Sequence, residues 1–201
     1  MVLDNKLGIT DQIELSIMEE KLSKLGAKEL YDKGILNNLA AGTFESLGVI
    51  HKALFDKIYY FAGEKRKENI AKGSFRFASV LYLDESIKKV EVMPQNNIDE
   101  IIEKYVEMNV VHPFREGNGR SMRIWLDDIL KKELTLVVDW SKIDKEQYLT
   151  AMINSPTNDK EIKTLLKNAL TDKINDRELY MKGIDHSYFY EGYKEFKTIE
   201  L

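Results

Sequence analysis

Residues 112 to 120, HPFREGNGR, cannot continue a helix, yet they lie between two stretches with strong helical periodicity. From Asn97 to Val111 the apolar residues Ile98, Ile101, Ile102, Tyr105 and Val106 follow the spacing of one helical face. From Arg120 to Glu133 the pattern resumes with Ile124, Trp125, Ile129 and Leu130. Between the two, Pro113 lacks an amide hydrogen, and Gly117 and Gly119 free the backbone on either side of Asn118. The chain must therefore form two helices joined by a short glycine-rich loop, with the second helix starting where the glycines end.

The rest of the sequence repeats the helical theme. Ile13, Ile17, Met18, Leu22 and Leu25 predict a helix between Asp11 and Leu25, and Ile50, Leu54 and Ile58 predict another from Phe44 to Phe61, stopped by Ala62-Gly63. A further helix is expected over 158–174, with Asn158 and Glu161 spaced as a capping box. The three prolines, at 94, 113 and 156, each fall where one helical pattern gives way to the next. Only KGSFRFASVLYL, residues 72–83, departs from it: Phe75 and Phe77 alternate with Arg76 and SVLYL is β-prone, which predicts a small hairpin or flap. The expected fold is an all-α helical bundle with a small β-hairpin flap, a single domain over residues 1–201.

Composition narrows the function. With 201 residues, 43% apolar and 32% charged, the chain can build one sizeable core under a solvated surface. A net charge of −4 lacks the basic excess of a phosphate-backbone binder, so nucleic acid is not an expected partner. No apolar run approaches a membrane span, and MVLDNKLGITDQ has no secretion-signal pattern, which leads to the expectation of a cytoplasmic protein with no membrane partner. Without cysteine there is no disulfide, thiolate nucleophile or thiolate zinc site.

The loop carries the chemistry. The first N–H groups of a helix have no acceptor within it and sit at its positive end, so a glycine-bracketed helix start is an anion site, most often for phosphate. Arg120 and Arg123, three residues apart, set two guanidinium forks on the same side. Two arginines in register strengthen the anion-site reading; the alternative for them is solvent exposure or pairing, with Arg123 reaching Asp127 one turn on. Glu116 beside such an anion calls for an intervening cation, and Mg²⁺ suits a lone carboxylate shared with phosphate oxygens. His112 and Glu116 have the spacing of a helical zinc pair, but Pro113 and the glycines break the helix that pair would need. His112 instead suits a general base acting on an incoming hydroxyl. His51 and His186 read as structural.

The run HPFREGNGRSMR is similar at every specified position to the signature of Fic domains, His-x-Phe-x-Asp/Glu-Gly-Asn-Gly-Arg-x-x-Arg. The matching residues are His112, Phe114, Glu116, Gly117, Asn118, Gly119, Arg120 and Arg123. Upstream, IHKALFDKIYYFAGEKR (50–66) and KGSFRF resemble the family's FAG-containing helix end and its flap. The resemblance implies a helical enzyme that transfers AMP from ATP to a protein hydroxyl. By it, His112 deprotonates the acceptor, Phe114 anchors the loop and Glu116 holds Mg²⁺. Asn118 with the Gly117 and Gly119 amides holds the α phosphate, Arg120 the β and Arg123 the γ phosphate. The flap residues Phe75, Arg76 and Phe77 would dock the target as an added strand.

The segment SYFYEG, 187–192, resembles the family's inhibitory signature, Ser/Thr-x-x-x-Glu-Gly/Asn, placed at the C-terminal end as in the small single-domain class. Ser187 and Glu191 would share one face of a short inhibitory helix over about 185–196, beginning near Asp185, with Gly192 completing the motif. The resemblance implies that Glu191 grips Arg123, spoils the γ-phosphate pose and holds the enzyme inactive. It also opens self-modification at Tyr188, Tyr190 or Tyr193, removal of AMP assisted by Glu191, and homo-oligomer formation. Two rivals remain at this point: transfer of another phosphorus-linked group, and a non-catalytic ATP-sensing module.

Overall fold

The computed structural model describes residues 2–73 and 75–201. Its helices are α1 (Gln12–Asp32), α2 (Phe44–Phe55), α3 (Leu83–Glu91), α4 (Ile98–Val111), α5 (Asn118–Leu134), α6 (Lys145–Asn154), α7 (Lys160–Asn168) and α8 (Arg177–Tyr190). Among the described residues the strands are two short antiparallel pairs. The pair β1 (Ala71–Lys72) and β2 (Phe75–Arg76) is the expected flap. The pair β3 (Val137–Val138) and β4 (Leu170–Thr171) joins Val137 to Thr171 and Val138 to Leu170. The fold is the all-α bundle anticipated from the sequence.

Helix α5 is the central element. It packs against α2, α4 and α8, and α1 closes over α2 and α8. Its apolar residues Met122, Ile124, Trp125, Leu126, Ile129 and Leu130 are all buried, so its hydrophobic surface is nearly continuous. At the crossing of α1 with α2 a Cβ on Gly26 would lie 2.2 Å from the Ala53 carbonyl oxygen, so glycine alone permits that approach. Start signals are local: Asp11 caps α1 through the Ile13 and Glu14 amides, and Asn97 caps α4 through that of Glu100.

Several sequence expectations shift. Helix α1 runs on to Asp32, past Leu25. Helix α2 stops at Phe55, short of Phe61; the aromatic and β-branched residues that follow favour helix weakly, and Ile58 and Tyr59 reach the core from turns. SVLYL is not a strand: Val80–Tyr82 form a 3-10 turn leading into α3, where Asp84 and Glu85 suit a helix start. Helix α7 covers only Lys160–Asn168; Asn158 accepts from Lys160 N at 3.3 Å in place of a capping box, and the chain beyond Ala169 pairs as β4. Helix α8 begins at Arg177, capped by Asp176 through the Leu179 amide, eight residues before the expected start at Asp185. It ends at Tyr190, so Glu191 is its C-cap and not a helical residue.

The segment after α8 is tied to α1 by buried charges. Glu20 accepts from the amides of Glu195 (3.0 Å) and Phe196 (3.2 Å), and Lys24 pairs with Glu20 at 2.9 Å and Asp185 at 3.0 Å. Asp185 in turn accepts from the amide and hydroxyl of Thr198. Among the described residues no helix is long and apolar enough to cross a membrane.

Candidate active site

The loop from His112 to Gly117 is held in shape by its own side chains and three neighbours. Asn118, the first residue of α5, accepts from the Phe114 amide at 2.9 Å and donates to the Phe114 carbonyl at 2.8 Å. Its amide side chain therefore closes the loop into a ring and is spent on the backbone. Phe114 is fully buried and stacks on His51, with ring centroids 3.8 Å apart. His51 Nδ1 accepts from the Gly63 amide at 2.8 Å, which leaves Nε2–H to donate to the Glu116 carbonyl at 2.9 Å. Burial pushes its pKa down to about 4, consistent with a neutral ring bracing the loop. Gly117 has φ +76°, and a Cβ there would fall 2.3 Å from Phe55 Cε2, so no other residue fits.

His112 caps α4 in the left-handed conformation, φ 50°, which costs an ordinary residue about 1–2 kcal/mol. Its Nδ1 lies 3.2 Å from the Asn109 carbonyl oxygen; with the proton there, the free lone pair is on Nε2. One ring face stacks on Phe77 of the flap, centroids 3.7 Å apart and 18° from parallel. Burial is the main cause that brings its pKa down to about 4, the Asn109 contact opposing and Arg66 and Lys72 assisting. The imidazole is thus neutral at physiological pH and able to accept a proton.

At the start of α5 no side chain caps Gly117, so the first-turn amides are open to an anion. Arg120 is fully buried; Nη1 donates to Glu19 at 2.6 Å and Nη2 to Glu116 at 3.1 Å. Its Nε stands 2.8 Å from Glu191 Oε2, a charge contact whose N–H is not aimed along the line. Arg123, also buried, donates from Nε to the Ser187 hydroxyl at 2.6 Å and from Nη2 to the Ser187 carbonyl at 2.8 Å and Glu191 Oε1 at 2.6 Å. The alternative pairing of Arg123 with Asp127 does not occur: Asp127 accepts instead from Val138 N and Trp140 Nε1.

Glu191 therefore reaches both arginines and lies over Gly119, where a Cβ would come within 2.6 Å of its Oε1. Burial works to raise its pKa, but Arg120 and Arg123 outweigh it and hold the carboxyl below its usual range. Gly192 follows with φ +97°, letting the chain turn away. Of the three tyrosines, Tyr188 and Tyr190 are core residues, and Tyr193 donates to Glu19 at 2.7 Å. On the flap Arg76 is exposed and Phe75 meets Phe77 edge to face.

Mg²⁺ has one candidate ligand. Glu116 is 45% exposed, with Oε1 engaged by the Gly117 amide at 2.8 Å and by Arg120. Among the described residues no group of three His, Asp or Glu side chains is placed to hold a metal ion together. That fits a metal held by one carboxylate together with phosphate oxygens and water, and does not fit an all-protein metal cage.

Sequence reasoning missed Glu19 and Arg66. Glu19 is buried on α1 and takes hydrogen bonds from Arg120, Tyr59 and Tyr193; nothing local marks it, since its partners lie 40 to 174 residues away. Arg66 ends the FAGEKR stretch already singled out, which was the available signal.

The comparisons agree with this geometry. The model of the Fic/DOC family matches residues 43–130. The chain is 28% identical to the protein adenylyltransferase VbhT of Bartonella schoenbuchensis over 92% of its length, which spans 40% of that protein. It is 28% identical to the probable protein adenylyltransferase y4lH of Sinorhizobium fredii, covering 79% of this chain and 85% of the relative. Among solved structures, BepC of Bartonella tribocorum with bound AMPPNP superposes with a TM-score of 0.71 at 21% identity, over 85% of this chain and 93% of that one. Motif, matched segment and fold converge: the chain carries a segment similar to the Fic/DOC family, set in the helical fold also seen in BepC.

Proposed function

We propose that this protein is an adenylyltransferase that moves AMP from ATP to the hydroxyl of a protein side chain, and that Glu191 holds it inactive at rest. One observation carries the proposal: a neutral imidazole on the end of α4 stands at one end of a loop whose other end is the uncapped start of α5 with two buried arginines.

In the reaction, His112 Nε2 takes the proton of the acceptor hydroxyl as its oxygen attacks the α phosphorus, and the bond from that phosphorus to the bridging oxygen breaks. Pyrophosphate leaves. The amides at the start of α5 and the Arg120 and Arg123 guanidinium groups hold the phosphates in line, a task of positioning and charge neutralisation. Glu116 is the residue that would hold Mg²⁺, which supplies charge neutralisation to the phosphates when bound. Asn118 contributes by closing the loop.

At rest, Glu191 occupies the hydrogen-bonding capacity that Arg123 would offer to a γ phosphate, and its second oxygen adds a charge contact to Arg120. A nucleotide entering with that carboxylate in place has neither arginine free, so its phosphates settle away from the in-line pose.

The test is incubation with α-labelled ATP and a cell lysate, using Glu191→Gly to release the site and His112→Ala as control. Label on protein that requires His112 supports AMP transfer. Tight ATP binding with no label in any variant defeats it and leaves an ATP sensor; γ-label transfer in place of α-label indicates phosphate transfer.

A further inference from the structure

Arg66 is 4% exposed, and among the described residues no carboxylate pairs with it. A buried cation without an anion is costly unless dipoles compensate, and here backbone carbonyls do so. Nε donates to the His112 carbonyl at 2.8 Å, Nη1 to Glu68 at 2.7 Å, and Nη2 to Val111 at 3.2 Å and to Ala78. The Arg66 amide donates to the Pro113 carbonyl at 2.8 Å. One planar fork thus joins the end of α4, the base itself and the segment leaving the flap. The Ala78 amide adds a bond to Val110 at 3.1 Å, and Asn69 accepts from Val80 N at 2.8 Å, so the flap's exit is pinned against α4. Phe77, which stacks on the His112 ring, is the residue immediately before Ala78.

We propose that Arg66 is a positioning residue that makes the target-docking flap and the catalytic base one mechanical unit, by holding the carbonyls of His112 and Ala78 on a single guanidinium. This rests on the reading of His112 as the base for AMP transfer. A stack between Phe77 and the imidazole survives only while both backbones keep their relative place. A lysine cannot reproduce that, because its ammonium is a point charge without the fork's planar geometry. A target strand added to the flap therefore meets a base already aligned.

The test uses the full chain carrying Glu191→Gly, with Arg66→Lys added, which keeps the charge and removes the fork. Two readouts are taken: the rate of label incorporation from α-labelled ATP into lysate protein, and the His112 titration followed by NMR, assigned with His112→Ala. The charged groups facing the imidazole are Arg66, Lys72 and Glu191, the last already absent in this background. Arg66→Lys is expected to leave the dissociation constant of ATP within about twofold, to slow transfer by about 10²-fold, and to move the His112 titration from about 4 toward the ordinary 6.5. In a Phe77→Ala background the same change should move the titration little further, since the stack is already gone. A thermal destabilisation with titration and transfer rate unchanged would assign Arg66 a structural role only and overturn the proposal. If the parent shows no AMP transfer, the functional reading fails, while the titration still decides the coupling. Should Arg66→Lys not fold, Phe77→Leu takes its place, and an unmoved titration there counts against the proposal.

Discussion

Glu191 Oε1 accepts a hydrogen bond from Arg123 Nη2 at 2.6 Å while Oε2 stands 2.8 Å from Arg120 Nε, so one carboxylate spans both arginines of the loop motif. Ser187, one helical turn earlier, takes Arg123 Nε at 2.6 Å. The Ser187 hydroxyl of α8 and the carboxylate of its C-cap, Glu191, thus meet two guanidinium groups from α5.

Removing the carboxylate should raise AMP transfer. A charged hydrogen bond contributes roughly 1.5–3 kcal/mol, so Glu191→Gly is expected to increase the rate of label incorporation by about 10- to 100-fold. Ser187→Ala, which leaves Glu191 in place, should give a smaller rise. Equal rates for wild type and Glu191→Gly would remove autoinhibition from the account.

Glu19 should matter for stability more than its distance from the motif suggests. It is buried, and Arg120 is the first group that offsets the desolvation raising its pKa, with a net shift downward. Glu19→Gln leaves the Arg120 charge in the core with weaker compensation and is expected to lower unfolding stability by about 3 kcal/mol, read from the urea midpoint. An unchanged midpoint would mean that Glu116 and Glu191 suffice for Arg120.

Gly117→Ala tests the loop's shape. The new methyl would meet Phe55 at a backbone of φ +76°, so the loop must shift or Phe55 must give way. The expected result is a stability loss of about 1–3 kcal/mol and transfer below detection even with Glu191→Gly present. Full transfer in that double variant would show that the cradle tolerates a different path.

Acid should withdraw the contribution that His51 makes to stability. Burial depresses the His51 pKa from 6.5 to about 4, so the unfolded chain binds a proton there that the folded chain rejects. Stability from this group is complete above about pH 6.5 and declines as pH falls toward 4, by about 3 kcal/mol over the window. Denaturant titrations of wild type and His51→Asn at pH 7 and pH 5 isolate this share by difference, since His112 is depressed in the same way and Asp127, raised by burial to about 7, acts in the opposite sense.

The sequence carried the motif loop and its two flanking helices almost in full, because periodicity, proline and glycine act locally. His112, Glu116, Gly117, Asn118, Gly119, Arg120 and Arg123 all meet in one place. What local signals could not supply was tertiary in origin. Nothing near Glu19 announces that its partners come from α5 and from beyond α8, and Asp185 looked like a helix start because α8's true cap, Asp176, precedes a stretch with weak apolar spacing. Leu170 and Thr171 continue a helical pattern in sequence, because the strand partner that overrides it lies more than thirty residues upstream. The flap was legible as alternation, but the stacking of Phe77 on His112 needed the backbone to be known.

The ring closed by Asn118 on Phe114 has a consequence for how quickly such a site can be switched. With its amide side chain bonded to both the N–H and the C=O of Phe114, the connector is held in shape by its own residues. Little ordering entropy is then lost on binding. If Glu191 holds the site at rest as proposed, its release would draw a plug from a finished socket, with nothing to be refolded before turnover begins.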